Sequence, residues 1–238
     1  MARVKGHSMT AASRPVALIT GATRGIGRAI ASELARTHHV IIGGRSRAAV
    51  DAVVAELGDA SAFVADLAEL SSIADRAAML PELDVLVHSA GLIGPHEPIA
   101  EVNVDDLLQV FTVNVAAVHE LTRITLPGLR ARSGSVITIN SGSGFTSHPN
   151  SSVYSASKFA LRAWSDALRD EERAHGVRVT SIHPGRVATD MQQELRAMEG
   201  GEYREDDYLT PAAVAQAVRL AVETPRGGNI DELQIRPQ

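Results

Sequence analysis

Apolar positions along this chain follow two alternating rhythms. Pro15 to Thr20 (PVALIT) is a short, partly β-branched run closed by Gly21, and from Gly25 to Ala35 the residues Ile26, Ile30 and Leu34 fall at helical spacing. The same strand-then-helix alternation continues through Val40 to Gly43, Ala48 to Leu57, Ala62 to Ala65 and Ile73 to Met79. Leu83 to His88 is almost continuously apolar, as a strand covered on both faces should be. Asp105 to Leu126 carries Leu108, Phe111, Val115, Val118 and Leu121 at spacings of three or four, which predicts one long helix ending before Pro127. Val136 to Ile139 predicts a strand, Ser155 to Ala174 a second long helix, and Val177 to Ile182 a strand closed by Pro184-Gly185. Thr210-Pro211 is an N-cap and first-turn pair for a helix to about Val222, before a last strand from Ile230 to Ile235.

Seven strand patterns alternating with six helix patterns predict an α/β chain: a single Rossmann-type, doubly wound, mainly parallel seven-stranded sheet with helices on both faces. The loops at the strand C-termini are then the place to seek chemistry. Asp190 to Leu209 is the least regular stretch, acidic and containing Gly200-Gly201, and reads either as a mobile flap over the site or as a solvated surface loop.

Composition narrows this picture. Of 238 residues, 45% are apolar and 21% charged, enough to bury the core of one domain running over residues 15–238. The 28 acidic and 23 basic residues leave a formal charge of -5, so there is no basic field to draw nucleic acid or an anionic membrane. The chain has no cysteine, which excludes disulfides, a thiolate nucleophile and cysteine-ligated metals and fits a reducing compartment. No apolar run approaches the roughly 18 residues of a membrane span, and Met1 to Pro15 lacks the apolar stretch of a secretory signal; a cytoplasmic location is expected. Residues 1–14, with Arg3, Lys5, Gly6 and His7 among small residues, are expected to be a disordered or vector-derived tail. The nine histidines form no HExxH-type array, so no catalytic metal is expected.

Two motifs carry chemistry. Gly21-Ala22-Thr23-Arg24-Gly25-Ile26-Gly27 stands between a strand and a helix, where missing side chains let backbone N–H groups approach a pyrophosphate; without those flanks it would read equally well as a tight turn. Tyr154-Ser155-Ala156-Ser157-Lys158 puts a phenol and an ammonium on one face where a long helix begins. A cation near tyrosine stabilises tyrosinate and brings an otherwise high pKa toward the working range, which makes the pair an acid/base candidate. The same spacing also occurs on solvated helix faces.

Taken together, Thr20 to Gly27, Asn114, Ser141, Tyr154-x-x-x-Lys158 and Pro184-Gly185-x-Val187-x-Thr189 resemble the short-chain dehydrogenases/reductases, in that family's order, from about Pro15 to Ile235. The resemblance implies an oxidoreductase that moves a hydride between a nicotinamide and a carbonyl or alcohol substrate. It implies that Tyr154 gives or takes the proton, that Ser141 hydrogen-bonds the same oxygen, and that Lys158 lowers the phenol pKa and holds the nicotinamide ribose. Asn114, from a locally distorted helix, would fix a water that relays protons to Lys158.

The resemblance also assigns cofactor contacts beyond the glycine turn. Asp66 would hydrogen-bond the adenine amino group with Leu67 beside the ring, although a helix cap is the competing reading of Asp66. Ser89, Ala90 and Gly91 would border the adenine ribose, with His88-Ser89 replacing the family's usual Asn-Asn and leaving the bracing of that strand open. Pro184, Gly185, Val187 and Thr189 would shape the nicotinamide end, Val187 and Thr189 holding the carboxamide. After the second strand comes Gly44-Arg45-Ser46, with no acid to bind a free ribose hydroxyl. Arg24 and Arg45 match the basic positions of NADP-preferring members, so NADP(H) is expected over NAD(H). The family's frequent Asp-Gly-Gly ending is absent; a homodimer through the two long helices is expected, with a homotetramer as the other possibility. A cofactor-binding regulator or scaffold of the same fold is the alternative function, and dehydration or epimerisation the alternative chemistry.

Overall fold

The computed structural model describes residues 14–238. Its strands are β1 (Val16–Ile19), β2 (His39–Gly44), β3 (Ala60–Val64), β4 (Val85–His88), β5 (Ser135–Ile139), β6 (Arg178–Pro184) and β7 (Glu232–Ile235). They form one seven-stranded sheet in the order β3-β2-β1-β4-β5-β6-β7, and every neighbouring pair is parallel. The helices are α1 (Gly25–Leu34), α2 (Arg47–Leu57), α3 (Leu70–Ala77), α4 (Val104–Phe111), α5 (Ala117–Arg132), α6 (Ser152–Glu172), α7 (Asp190–Met198) and α8 (Pro211–Glu223).

Alternate residues of the central strands serve opposite cores, which explains their unbroken apolar sequence. Ala17, Ile19, Val85 and Val87 pack with Ile30 and Leu34 of α1, Val50 and Val53 of α2, and Val214 and Val218 of α8. Leu18, Leu86 and Val136 face the other way, onto Ile73 of α3, Leu121 and Leu129 of α5, and Leu168 of α6. The chain order reverses between β1 and β4, which opens a crevice beyond their C-terminal ends. The expected fold is the one observed.

Three expectations need correction or delimitation. The long helix expected over Asp105 to Leu126 is present as one continuous run of α4, a π-helical turn at Thr112–Ala116 and α5, but it does not end before Pro127 and runs on to Arg132. Proline costs a helix interior about 3 kcal/mol, but Pro127 lies on the exposed side while Leu129 beyond it is fully buried and Arg130 pairs with Glu172. The segment over residues 190–209 is only partly irregular: it begins with α7, capped by the Thr189 hydroxyl, which accepts from Gln192 N. That helix buries only the polar Gln192, so it has no apolar stripe to reveal it. The expected tail lies outside the described residues except for Arg14, which donates to Asp59 at 2.7 Å and to the Ala35 carbonyl at 2.6 Å. Among the described residues no helix is long and apolar enough to cross a membrane.

Candidate active site

The nucleotide end of the crevice is made of backbone. A Cβ on Gly27 would stand 2.3 Å from the Gly21 carbonyl oxygen, so only glycine lets α1 begin this close to the end of β1. Gly21 itself has φ +64° and lies against the Ala90 backbone, where a Cβ would approach within 2.8 Å. The Thr20 hydroxyl accepts from Ser89 N at 3.1 Å and Ala90 N at 3.2 Å, pinning the turn after β4 to the end of β1. Helix α1 has neither a side-chain cap nor a carboxylate in its first turn, so its free N–H groups are left for an anion.

A cleft of about 610 Å³ runs from this turn to α6. Gly21, Thr23, Arg24, Gly25, Ile26, Gly27, Arg45, Asp66, Leu67, Ser89, Ala90, Gly91, Tyr154, Lys158 and Thr189 all line it. Four expected contacts stand behind the wall instead. Ser46 caps α2, accepting from Ala49 N. Pro184 closes β6 in register with Ile235, Gly185 N donates to the Ile235 carbonyl at 2.7 Å, and buried Val187 bridges to Leu209. The Asp66 carboxylate accepts from Ala68 N at 2.9 Å, a turn contact rather than a cap of α3, and the Ser89 hydroxyl is buried without a partner. Arg45 is exposed and has no polar partner among the described residues, whereas Arg24 reaches across the cleft mouth to Asp190 at 3.0 Å, with both side chains at least 60% exposed.

The other end of the cleft is made of side chains, half-buried Tyr154 and buried Lys158 among them. Tyr154 is the third residue of α6, and Lys158, one turn on, holds its ammonium 5.7 Å from the phenol ring centre. Lys158 Nζ donates to the Ile139 carbonyl at 3.0 Å, and loss of water brings its pKa down to about 8. Burial pushes the Tyr154 phenol up, and a hydrogen bond with Ser141 pulls the other way. The net direction is upward, the reverse of what the Tyr154/Lys158 spacing suggested: desolvation outweighs the Ser141 hydrogen bond. Ser141 stands two residues beyond the end of β5, and its Oγ accepts from Ser143 N at 3.1 Å, leaving its own proton to donate.

Asn114 sits in the π-helical turn and spends its amide on structure. Its Oδ1 accepts from Leu92 N at 2.8 Å, and its Nδ2 donates to the Leu92 carbonyl at 2.9 Å and to Ser157 Oγ at 3.0 Å. It stands close to Lys158 because Gly91 lies between them: a Cβ there would be 3.3 Å from Asn114 Oδ1 and 3.9 Å from Lys158 Nζ. His88 supplies the strand bracing that the unusual His-Ser pair left open. Its Nε2 meets Thr122 Oγ1 at 2.8 Å, Trp164 packs edge-on at 6.4 Å, and burial lowers its pKa to about 3, so the ring is neutral.

The sequence reading missed Asn140, His183 and Asp190. Asn140 Oδ1 accepts from Ser141 N at 2.9 Å and its Nδ2 donates to the Lys158 carbonyl at 3.2 Å, joining the serine to α6. A buried polar side chain at a strand end interrupts no periodicity; the only signal was the adjacency of Asn140 to Ser141 and of His183 to Pro184-Gly185.

The short chain dehydrogenase family model matches residues 15–200. A short-chain type dehydrogenase/reductase of Sinorhizobium fredii, itself of uncharacterised activity, is 35% identical over 227 residues, 93% of this chain and 91% of that one. An NADP-dependent 3-hydroxy acid dehydrogenase of Escherichia coli K12 is 32% identical over 235 residues, 93% of this chain and 94% of its own. The closed form of a serine dehydrogenase complexed with NADP+ superposes with a TM-score of 0.84 at 30% identity, covering 92% of this chain and 94% of its own. The chain belongs to the short-chain dehydrogenase family.

Proposed function

We propose that this protein is an NADP(H)-dependent oxidoreductase acting on a carbonyl or alcohol carbon, with Tyr154 as the proton donor and acceptor. The observation that carries the reading is the pairing of Tyr154 and Lys158 at the inner end of a cleft whose outer end is the glycine turn, with Ser141 hydrogen-bonded to the Tyr154 phenol from behind the lining. The residues fit the cofactor: free N–H groups at α1 suit a pyrophosphate, Ser89 offers an unpartnered hydroxyl beside the adenine ribose position, and Arg45 is free for a ribose phosphate. Bound NADPH supplies the hydride. Tyr154 then gives its proton to the carbonyl oxygen, Ser141 donates a hydrogen bond to that oxygen, and Lys158 holds the ribose and offsets the negative charge left on the phenol. In the oxidative direction the same groups act in reverse.

Named relatives include an NADP-dependent 3-hydroxy acid dehydrogenase and an NADP+-bound serine dehydrogenase, which supports the cofactor and the reaction class. Asn114, Ser141, Tyr154 and Lys158 together favour turnover over a silent binder, which needs no such set. A cytoplasmic homodimer through α4, α5 and α6 belongs to the same reading, with exposed Leu107, Leu108 and Phe159 on those helices. The test is NADPH oxidation against hydroxy and keto acids, uncharged ketones and aldehydes. Turnover of at least one class by the native protein, lost in Tyr154→Phe, is expected. NADPH binding without turnover of any class would leave the silent binder.

A further inference from the structure

Strand β6 places one buried ring directly behind the candidate catalytic serine. The His183 side chain is fully buried, its Nδ1 lies 3.1 Å from the Ser141 carbonyl oxygen, and its Nε2 has no hydrogen-bond partner. A carbonyl can only accept, so this contact requires the ring proton on Nδ1. Burial is the main cause that keeps a second proton off the ring, and the charged groups around it act in both directions. Glu232 of β7 stands 3.7 Å from Nε2 and favours protonation, but it is engaged by Arg162 at 2.9 Å. Arg162 and Lys158, both on α6, oppose it, and so does burial. Phe145 packs against the ring, tilted, at 4.5 Å, and the Arg162 guanidinium lies over the Phe145 ring at 4.0 Å.

Apart from its hydrogen bond with the Tyr154 phenol, the other contacts of Ser141 are with near neighbours in sequence. Asn140 Oδ1 takes its N–H, while Gly144 N and Ser143 N bond its carbonyl and its hydroxyl from within its own turn. The last two move with the turn, while Asn140 is itself tied to α6 through the Lys158 carbonyl. His183 ties the Ser141 carbonyl itself to the central sheet.

We propose that His183 is a positioning residue whose Nδ1–H, fixed on the Ser141 carbonyl, sets where the Ser141 hydroxyl stands relative to the Tyr154 phenol. The inference rests on the reading that Ser141 and Tyr154 share the substrate oxygen. Because the Ser141 hydrogen bond pulls the phenol pKa down, a loosened Ser141 raises the pKa at which Tyr154 titrates in the kinetics. A residue that only filled the core would not move that limb.

The test compares His183→Leu with His183→Asn in the full chain, reading kcat against pH and NADPH affinity. His183→Leu should lower kcat by about tenfold or more, as small misplacements of catalytic groups do, shift the alkaline limb upward, and leave NADPH affinity unchanged. His183→Asn, whose amide donates from the same branch position, should restore most of the rate. An unshifted limb in His183→Leu, or an Asn variant no faster than the Leu variant, overturns the proposal. Nitrogen-15 NMR of the unmutated protein serves if the Leu variant does not fold: the Nδ1–H tautomer is expected across neutral and alkaline pH, and the Nε2–H tautomer overturns the proposal. An active Tyr154→Phe enzyme would remove the parent reading, whereas an inactive one alongside an unshifted His183→Leu limb removes only the role of His183.

Discussion

Helices α6 and α7 border the same cleft and are held in opposite ways. Helix α6 buries Val153, Leu161 and Leu168, its Lys158 is bonded to the end of β5, and the Lys158 carbonyl is taken by Asn140. Helix α7 buries Gln192 alone and is fastened by the Thr189 cap and by ion pairs: Arg24 with Asp190, and Glu199 between Arg186 and Arg196. Buried apolar and hydrogen-bonded contacts fix geometry, whereas an exposed ion pair such as Arg24 with Asp190 contributes about 0 to 1 kcal/mol. Tyr154 and Lys158 therefore stand on a wall held by buried contacts, and the α7 wall facing them is lightly held.

The largest expected effect breaks the fixed wall at its working atom. Tyr154→Phe removes one hydroxyl and keeps the ring, so turnover should fall about 10²- to 10⁴-fold while NADPH titration and the melting temperature stay near their original values. Retention of near-original turnover would sink the assignment of Tyr154.

Lys158→Met separates function from stability on the same helix. Turnover should be lost, yet the variant should be harder to unfold at neutral pH, because the folded protein holds a buried ammonium whose pKa is depressed from 10.5 to about 8. Below pH 8 both states are protonated and the folded state carries the whole penalty, about 3 kcal/mol before the lost bond to the Ile139 carbonyl is discounted. Between pH 8 and 10.5 the folded state sheds its proton first and the native protein gains stability. Urea midpoints should therefore favour the variant at neutral pH and converge as the pH rises; a variant less stable throughout contradicts the buried-charge account.

How legible the two walls were in the sequence follows the same physics. The core-facing residues of α6 repeat at helical spacing, so its existence and the Tyr154/Lys158 face were readable. Helix α7 has no such stripe, and its capping Thr189 read only as a member of a family motif. The glycine turn was legible because Gly21 and Gly27 are demanded by backbone contacts that no other residue meets. Asn140 and His183 were not, because their meaning lies in hydrogen bonds between β5, β6 and α6, and Pro127 misled because only the burial of Leu129 reveals that the helix continues.

A smaller effect tests the mouth of the cleft. Arg24→Ala combined with Arg45→Ala should erase a preference for NADPH of roughly ten- to several-hundred-fold while sparing NADH, since charge-assisted hydrogen bonds contribute about 1.5 to 3 kcal/mol each. Equal catalytic efficiency of the unmutated enzyme with both cofactors contradicts binding of the ribose phosphate by Arg24 and Arg45.

The smallest effect concerns the light fastening of α7. Asp190→Asn releases Arg24 from an exposed pair, so NADPH affinity should tighten by no more than about fivefold with NADH affinity unchanged. Weaker NADPH binding would instead mean that Asp190 holds Arg24 in its binding position.

Transfer of a label tests the central claim most directly. NADPH deuterated at the transferable C4 position, incubated with the best carbonyl substrate, should give an alcohol carrying one deuterium at the former carbonyl carbon, detected by mass spectrometry, and Tyr154→Phe should form it far more slowly. Product formed without deuterium, or labelled product formed equally fast by Tyr154→Phe, contradicts the account of a nicotinamide hydride paired with a Tyr154 proton.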